Sequence, residues 1–260
     1  MKIFLNNLLA IYRRELQSYF NSPFAYIISV VFWLIGGLFL VMLLFSPGSI
    51  VTQVRTVDQL GVLPQSIDLP YEVLKIYLNF LGSLSMFILP MLSMGLYAEE
   101  RKQGTLELLA TSPLTNWVVA LGKLLGVVTF YSAMLIPLLI LELMAFGSSD
   151  PAFPTMLLLV GHGGLLLLAA GVLSLGMFIS SLSESTVLAA VMTFGLVLVL
   201  WIIEEVAAAL PGAIGSALSH LSLLTQGIFD TSGLILFSSY IFLGLFLTAQ
   251  SIDTLRFQRS

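Results

Sequence analysis

The chain of 260 residues carries two histidines, His162 and His220, and no cysteine. Nucleophilic catalysis needs a base beside an activated side chain, and Ser174 in "AGVLSLG" lacks the G-x-S-x-G turn that presents such a serine. Two distant histidines without thiolates or grouped carboxylates make a poor metal site. A phosphate loop needs G-x-x-x-x-G-K-[ST], and "ALGKLLG" has the glycine and lysine without the loop or the hydroxyl. The glycines of "VGHGGL" follow no strand and miss the dinucleotide spacing. The residues therefore predict no active site, no metal and no nucleotide cofactor held by this chain, and nothing points to nucleic acid. Without cysteine the redox compartment stays unread.

The remaining chemistry is charge placed in or beside apolar runs, where it is costly and often functional. Lys75, Glu142, Glu204 and Glu205 fall at span ends expected to face outward, with side chains expected to reach water. Glu184 in "SSLSES" is expected to open a helix, its carboxylate near the positive helix end. His162, among Gly161, Gly163 and Gly164, reads as a hydrogen-bonded packing histidine more than a gate or proton relay.

The elements that position these groups are membrane spans. Hydrophobic residues make up 58% of the chain and charged ones 9%, against about 25% charged in soluble domains. Six runs reach the roughly 17–25 residues that cross a bilayer as helix: about 24–45, 76–97, 118–146, 153–180, 185–203 and 233–252. The expected fold is an all-α polytopic membrane protein, a single membrane domain over 1–260. The arginine pair of "YRRELQ" is followed by an apolar run too long for a signal peptide, and no cleavage site closes it. With both termini placed in the cytoplasm, Lys2, Arg13, Arg14, Arg101, Lys102, Lys123, Arg256 and Arg259 lie inside; Arg55 and Lys75 lie outside. This agrees with the positive-inside rule and an even number of spans.

Before the first span, Leu8, Leu9, Tyr12, Leu16, Tyr19 and Phe20 share one arc of a helical wheel, opposite Asn7, Arg13, Arg14, Gln17 and Ser18. Ile11 and Glu15 break the pattern. This predicts an amphipathic elbow helix over 6–23 in the headgroup region, with Tyr12, Arg13, Arg14, Glu15 and Leu16 at the membrane interface. Residues 46–73 read as an outer loop, a cap on the pathway, a dock for an external partner or a plain connector. Residues 204–232, broken by Pro211, Gly212, Gly215 and Gly227, read as an outer re-entrant or interfacial segment.

Between the second and third spans lies a wet stretch, "YAEERKQGTLELLATSPLTNW", with five charges from Glu99 to Leu109. Gly104 interrupts a continuous helix, and Thr105 can cap a short one that Pro113 ends. Thr115 or Asn116 can cap the next span, and Trp117 suits the interface. Leu106, Leu109 and Ala110 would form an exposed apolar face, which reads as a docking surface for a soluble cytoplasmic partner.

"AEERKQGTLELLATSPLTNWVVALGKLLG" resembles the E-E-[KR]-x-x-G-T-[IL]-E-x-L-L-x-[ST]-P stretch of ABC-2 type permeases of ATP-binding-cassette transporters. "IYRRELQSYFNSPFAYI" is similar to their elbow and first-span entry. "LSHLSLLTQGIFDTSGLILFSSYIFLGLFLTAQSID" resembles their closing segment, closest to the gliding-motility branch. The resemblance implies an elbow helix, six spans, pairing with a second permease copy or paralogue, and an inner (plasma) membrane location. It implies that a separate cytoplasmic ATPase, which binds ATP and Mg²⁺, docks on the cytoplasmic segment 98–117. The motif positions are Glu99, Glu100, Arg101, Gly104, Thr105, Leu106, Glu107, Leu108 and Leu109. The expected function is permease of an ABC-2 exporter whose cargo is an unnamed amphiphile, without ATPase activity of its own. The alternative is a mechanotransmitting anchor that drives an extracytoplasmic auxiliary partner and moves no solute. A channel or secondary transporter would show buried charges along the spans or inverted repeats. Phe32, Phe39, Phe80, Met86, Phe87, Met91 and Met94 are candidates for pathway or packing, as is His162.

Overall fold

The computed structural model describes residues 2–49, 51, 52, 56, 69–106, 115–147, 155–208 and 231–257. These form eight helices: α1 (Lys2–Asn21), α2 (Pro23–Phe45), α3 (Leu69–Ser93), α4 (Gly95–Lys102), α5 (Asn116–Phe146), α6 (Thr155–Leu182), α7 (Thr186–Ala208) and α8 (Thr231–Phe257). Six candidate spans result, α3 and α4 together making one of 34 residues. The described protein is all-helical and multi-pass.

α2 opens at Ser22, whose hydroxyl accepts from Ala25 N–H, with Pro23 in the first turn where its missing N–H costs nothing. Its outward face, including Ile27, Val30, Leu34, Leu38 and Val41, is apolar apart from the Tyr26 hydroxyl. Such a face is stable only against lipid or another protein. α3 begins at Leu69, inside the stretch expected to be outer loop, because Pro70 is tolerated in a first turn. The middle of the segment expected to be re-entrant, 209–230, lies outside the described residues, while α7 runs to Ala208.

α6 is the central helix. Glycines let its neighbours approach: a methyl group at Gly161 would meet Leu78 of α3, and one at Gly171 would sit 2.9 Å from Phe237 of α8. In return, Gly244 of α8 rides directly on the Ser174 backbone. Close backbone approach through small residues is how helices associate where lipid offers no hydrophobic drive.

α1 lies on α5, and the contact is made by the residues that broke its amphipathic pattern. A methyl at Gly122 would lie 2.8 Å from Ile11 Cγ2, and one at Gly126 would lie 2.8 Å from Glu15 Cβ. Gly122 and Gly126 are four apart, one above the other on a helix. Ile11 and Glu15 have the same spacing, so the two ridges interlock. Tyr19 stacks on Phe130 at 5.2 Å and its hydroxyl donates to Leu92 O at 2.7 Å. Burial, aided by Glu15 and Glu99, holds the Tyr19 phenol well above its ordinary pKa. At the same end of the bundle Asn116 donates to Asp253 Oδ1 at 2.6 Å, fastening the last turns of α8 to the start of α5.

Candidate coupling site

Lys123 sits two turns into α5 with its side chain 3% exposed. Its ammonium has three hydrogens, and each has a partner. Nζ donates to Glu15 Oε1 of α1 at 2.7 Å, to Leu96 O of α4 at 2.8 Å and to Glu100 Oε1 of α4 at 3.0 Å. The Tyr97 ring lies 4.9 Å from the same nitrogen, within cation–π range. One side chain thus ties three separate segments together. Arg14 adds a looser contact, Nη2 to Glu100 Oε1 at 3.9 Å. The charge count places Lys123 on the inner side and gives no hint of this role. The available signal was a lysine within an otherwise apolar span, inside "GKLLG".

The joint between α3 and α4 is built by another residue that spacing and charge do not single out. In an unbroken helix Ala98 N–H would bond Met94 O. Instead the Ser180 hydroxyl of α6 enters the ladder: it donates to Met94 O at 2.7 Å and accepts from Tyr97 N–H at 3.1 Å and Ala98 N–H at 3.0 Å. A side chain inserted in this way breaks a helix at a defined point. Next door, Arg101 donates to Ser181 O at 2.7 Å. Glu184 does not open a helix as expected: it is 77% exposed and stands 3.8 Å from Arg101 Nε. Ser185 caps α7 instead, accepting from Leu188 N–H. The hydroxyl is one residue closer to the free N–H groups of the first turn.

α4 ends in a glycine cap. Gly104 has φ +70°, the left-handed conformation that glycine adopts without a Cβ penalty. Thr105 N–H bonds Glu100 O and Gly104 N–H bonds Arg101 O, the paired 6→1 and 5→2 bonds of a Schellman motif. The Thr105 hydroxyl also turns back to Glu100 O at 3.2 Å. Leu106, expected on an exposed apolar face, is buried in the core at 1% exposure, since the cap turns the chain back onto the bundle. Glu107, Leu108, Leu109 and Ala110 lie outside the described residues.

Among the remaining candidates, Glu99 is exposed and lines a cavity of about 100 Å³ with Glu15, Tyr19 and Met91. Arg13 and Arg14 are exposed; Tyr12 and Leu16 are half-buried. Phe32 is buried against Tyr131, and Phe39 stacks on Phe80 at 3.7 Å, so these rings pack within the chain. Phe87 faces outward beside Phe194 in an open groove of about 150 Å³. At the far end of the bundle Glu142, expected to reach water, is fully buried in contact with His162. Its position on α5 turns it toward α6, away from the surface. Among the described residues no three His, Asp or Glu side chains converge as a metal would need.

No curated protein matches the chain. A family model described as ABC-2 family transporter protein matches residues 65–222, more than half of the chain.

Proposed function

The chain belongs to the ABC-2 transporter family, and on that premise we propose that it couples a separate cytoplasmic ATPase to export through the ion cluster at Lys123. Permeases of this family generally work with a cytoplasmic ATPase and often as dimers. In this reading the ATPase docks on the segment from Arg101 to Thr111 and carries the ATP and Mg²⁺. On the same reading the end where α1, α4 and the end of α8 gather faces the cytoplasm, with both termini on that side. The family match stops at residue 222 and gives the expected kinship with the gliding-motility branch no support.

The observation that carries the proposal is the three-way grip of Lys123. A push on α4 cannot leave Glu100 and Leu96 O behind, and Lys123 passes the displacement to Glu15 of α1 and to the whole of α5. α5 has 31 residues, about 46 Å of rigid helix at 1.5 Å per residue, enough to carry the motion across the bilayer. Ser180 supplies the pivot against α6. The apolar groove of Met86, Phe87, Phe194, Val197, Leu198 and Trp201 suits an acyl chain, which favours an amphiphilic cargo between two copies.

The test is to purify the tagged chain from its own membrane, native and Glu107→Arg, and to identify what accompanies it and whether ATP is hydrolysed. An ATPase that comes down with the native chain and is lost from the variant supports docking at this segment. An ATPase retained equally by both moves the docking site elsewhere.

A further inference from the structure

At the end of the bundle opposite Lys123, a carboxylate and an imidazole meet under full burial. Glu142 belongs to α5 and His162 to α6. His162 Nδ1 lies 3.0 Å from Leu158 O. A carbonyl oxygen only accepts, so Nδ1 carries the ring hydrogen. In a neutral imidazole the second nitrogen is then a bare acceptor. That nitrogen, Nε2, stands 3.4 Å from Glu142 Oε1, and an ionised carboxylate is likewise acceptor-only. Two lone pairs would face each other in an apolar interior, where such a conflict is expensive. Neither carboxylate oxygen has a hydrogen-bond partner to relieve it, and Nε2 has none either.

A single added hydrogen ion removes the conflict. It sits as a carboxylic O–H directed at Nε2 or as an imidazolium N–H directed at Oε1, and in both cases the pair carries no net charge. We propose that Glu142 and His162 form a buried proton-binding site that holds one proton between Oε1 and Nε2, and that parting α5 from α6 at this point releases it. The surroundings fit a site closed to other counter-charges. From α3, Tyr77 lies near Glu142, its hydroxyl buried without a partner. From α2 comes Phe39, stacked on Tyr77. Among the described residues no lysine, arginine or further carboxylate pairs with either group.

The site is separate from the Lys123 cluster and stands without the coupling reading. Its consequence has a definite sign. The closed pair holds a proton that a parted, wetted imidazole keeps only below about pH 6.5. Above that pH, and for as long as the closed pair keeps its proton, each unit should shift the balance about tenfold toward the parted arrangement, because the closed form binds the extra proton.

The experiment uses the full chain with His220→Gln, which leaves His162 as its single histidine, labelled with nitrogen-15 in that residue and reconstituted in lipid bilayers. Nitrogen NMR at about pH 7.5, where a free imidazole is neutral, reads both ring nitrogens. Expected are a protonated Nδ1 and an Nε2 that is either protonated or accepting a hydrogen bond. Glu142→Leu should then move Nε2 to the signal of a free acceptor. A free-acceptor Nε2 in the chain that retains Glu142 overturns the proposal without recourse to that variant. So does an Nε2 signal that Glu142→Leu leaves unchanged.

Discussion

Lys123→Met keeps the length and the apolar stem of the side chain and removes only its charge. In the native protein the lysine is almost fully buried and the two acids that share it are 12% and 15% exposed. The variant leaves Glu15 and Glu100 facing each other without a cation, and Leu96 O without its donor. Removing one partner of a buried ion pair costs about 3–5 kcal/mol, because the other charge stays buried and unpaired. At about 2–4 °C per kcal/mol for a chain of this size, the thermal midpoint should fall by about 6–20 °C. Adding Glu15→Gln and Glu100→Gln to the same chain removes the stranded charges and should restore most of the loss, since replacing a whole buried ion cluster is far milder than halving it. Native, single and triple variants are compared by intrinsic fluorescence during heating in lipid nanodiscs. A triple variant as unstable as the single one would refute the electrostatic account and assign the loss to packing. A single variant that melts with the native chain would refute the three-way grip itself.

Ser180→Ala withdraws the hydroxyl from the α3–α4 joint, and Ala98 N–H and Met94 O can then pair directly as in an ordinary helix. Stability should fall by only about 1 kcal/mol, while hydrogen exchange speeds up at the Tyr97 amide and stays slow at Ala98. Gly244→Ala places a methyl 2.5 Å from the Ser174 backbone carbon, so α6 and α8 must separate at a cost of about 1–3 kcal/mol. Gly195→Ala, with open space around it, should be neutral or stabilising by up to about 1 kcal/mol in the same melting assay.

The spans were legible because length and hydropathy alone decide what crosses a bilayer. The glycine break at Gly104 was legible too, since a residue without Cβ after a charged helical turn signals a cap. What periodicity could not tell is which apolar face meets lipid and which meets protein, because lipid tails and helix interiors are equally apolar. Ile11 and Glu15 therefore looked like errors in an amphipathic pattern, when they are the residues that seat α1 on Gly122 and Gly126. For the same reason Leu106 read as an exposed docking residue although it is buried. Lys123 and Glu142 were misread together: their sequence neighbours place them near span ends, where long side chains ordinarily reach water. Only the partners, distant in the chain, reveal that both point inward. Ser180 was invisible because one hydroxyl entering another helix's ladder leaves no mark on composition or spacing.

The order of the chain also gives the Lys123 cluster a history during synthesis. Glu15 and Glu100 both leave the ribosome before the lysine that neutralises them, and Lys123 follows Glu100 by 23 residues. At about 5–20 residues per second, the two acids wait about 1–5 s without their lysine. Until the third span inserts, the elbow helix has neither its glycine seat on α5 nor its cation. The arrival of a single lysine is thus the moment at which the first hundred residues become committed to their places, and the bond from Asn116 to Asp253 seals the same end only when the final span is in.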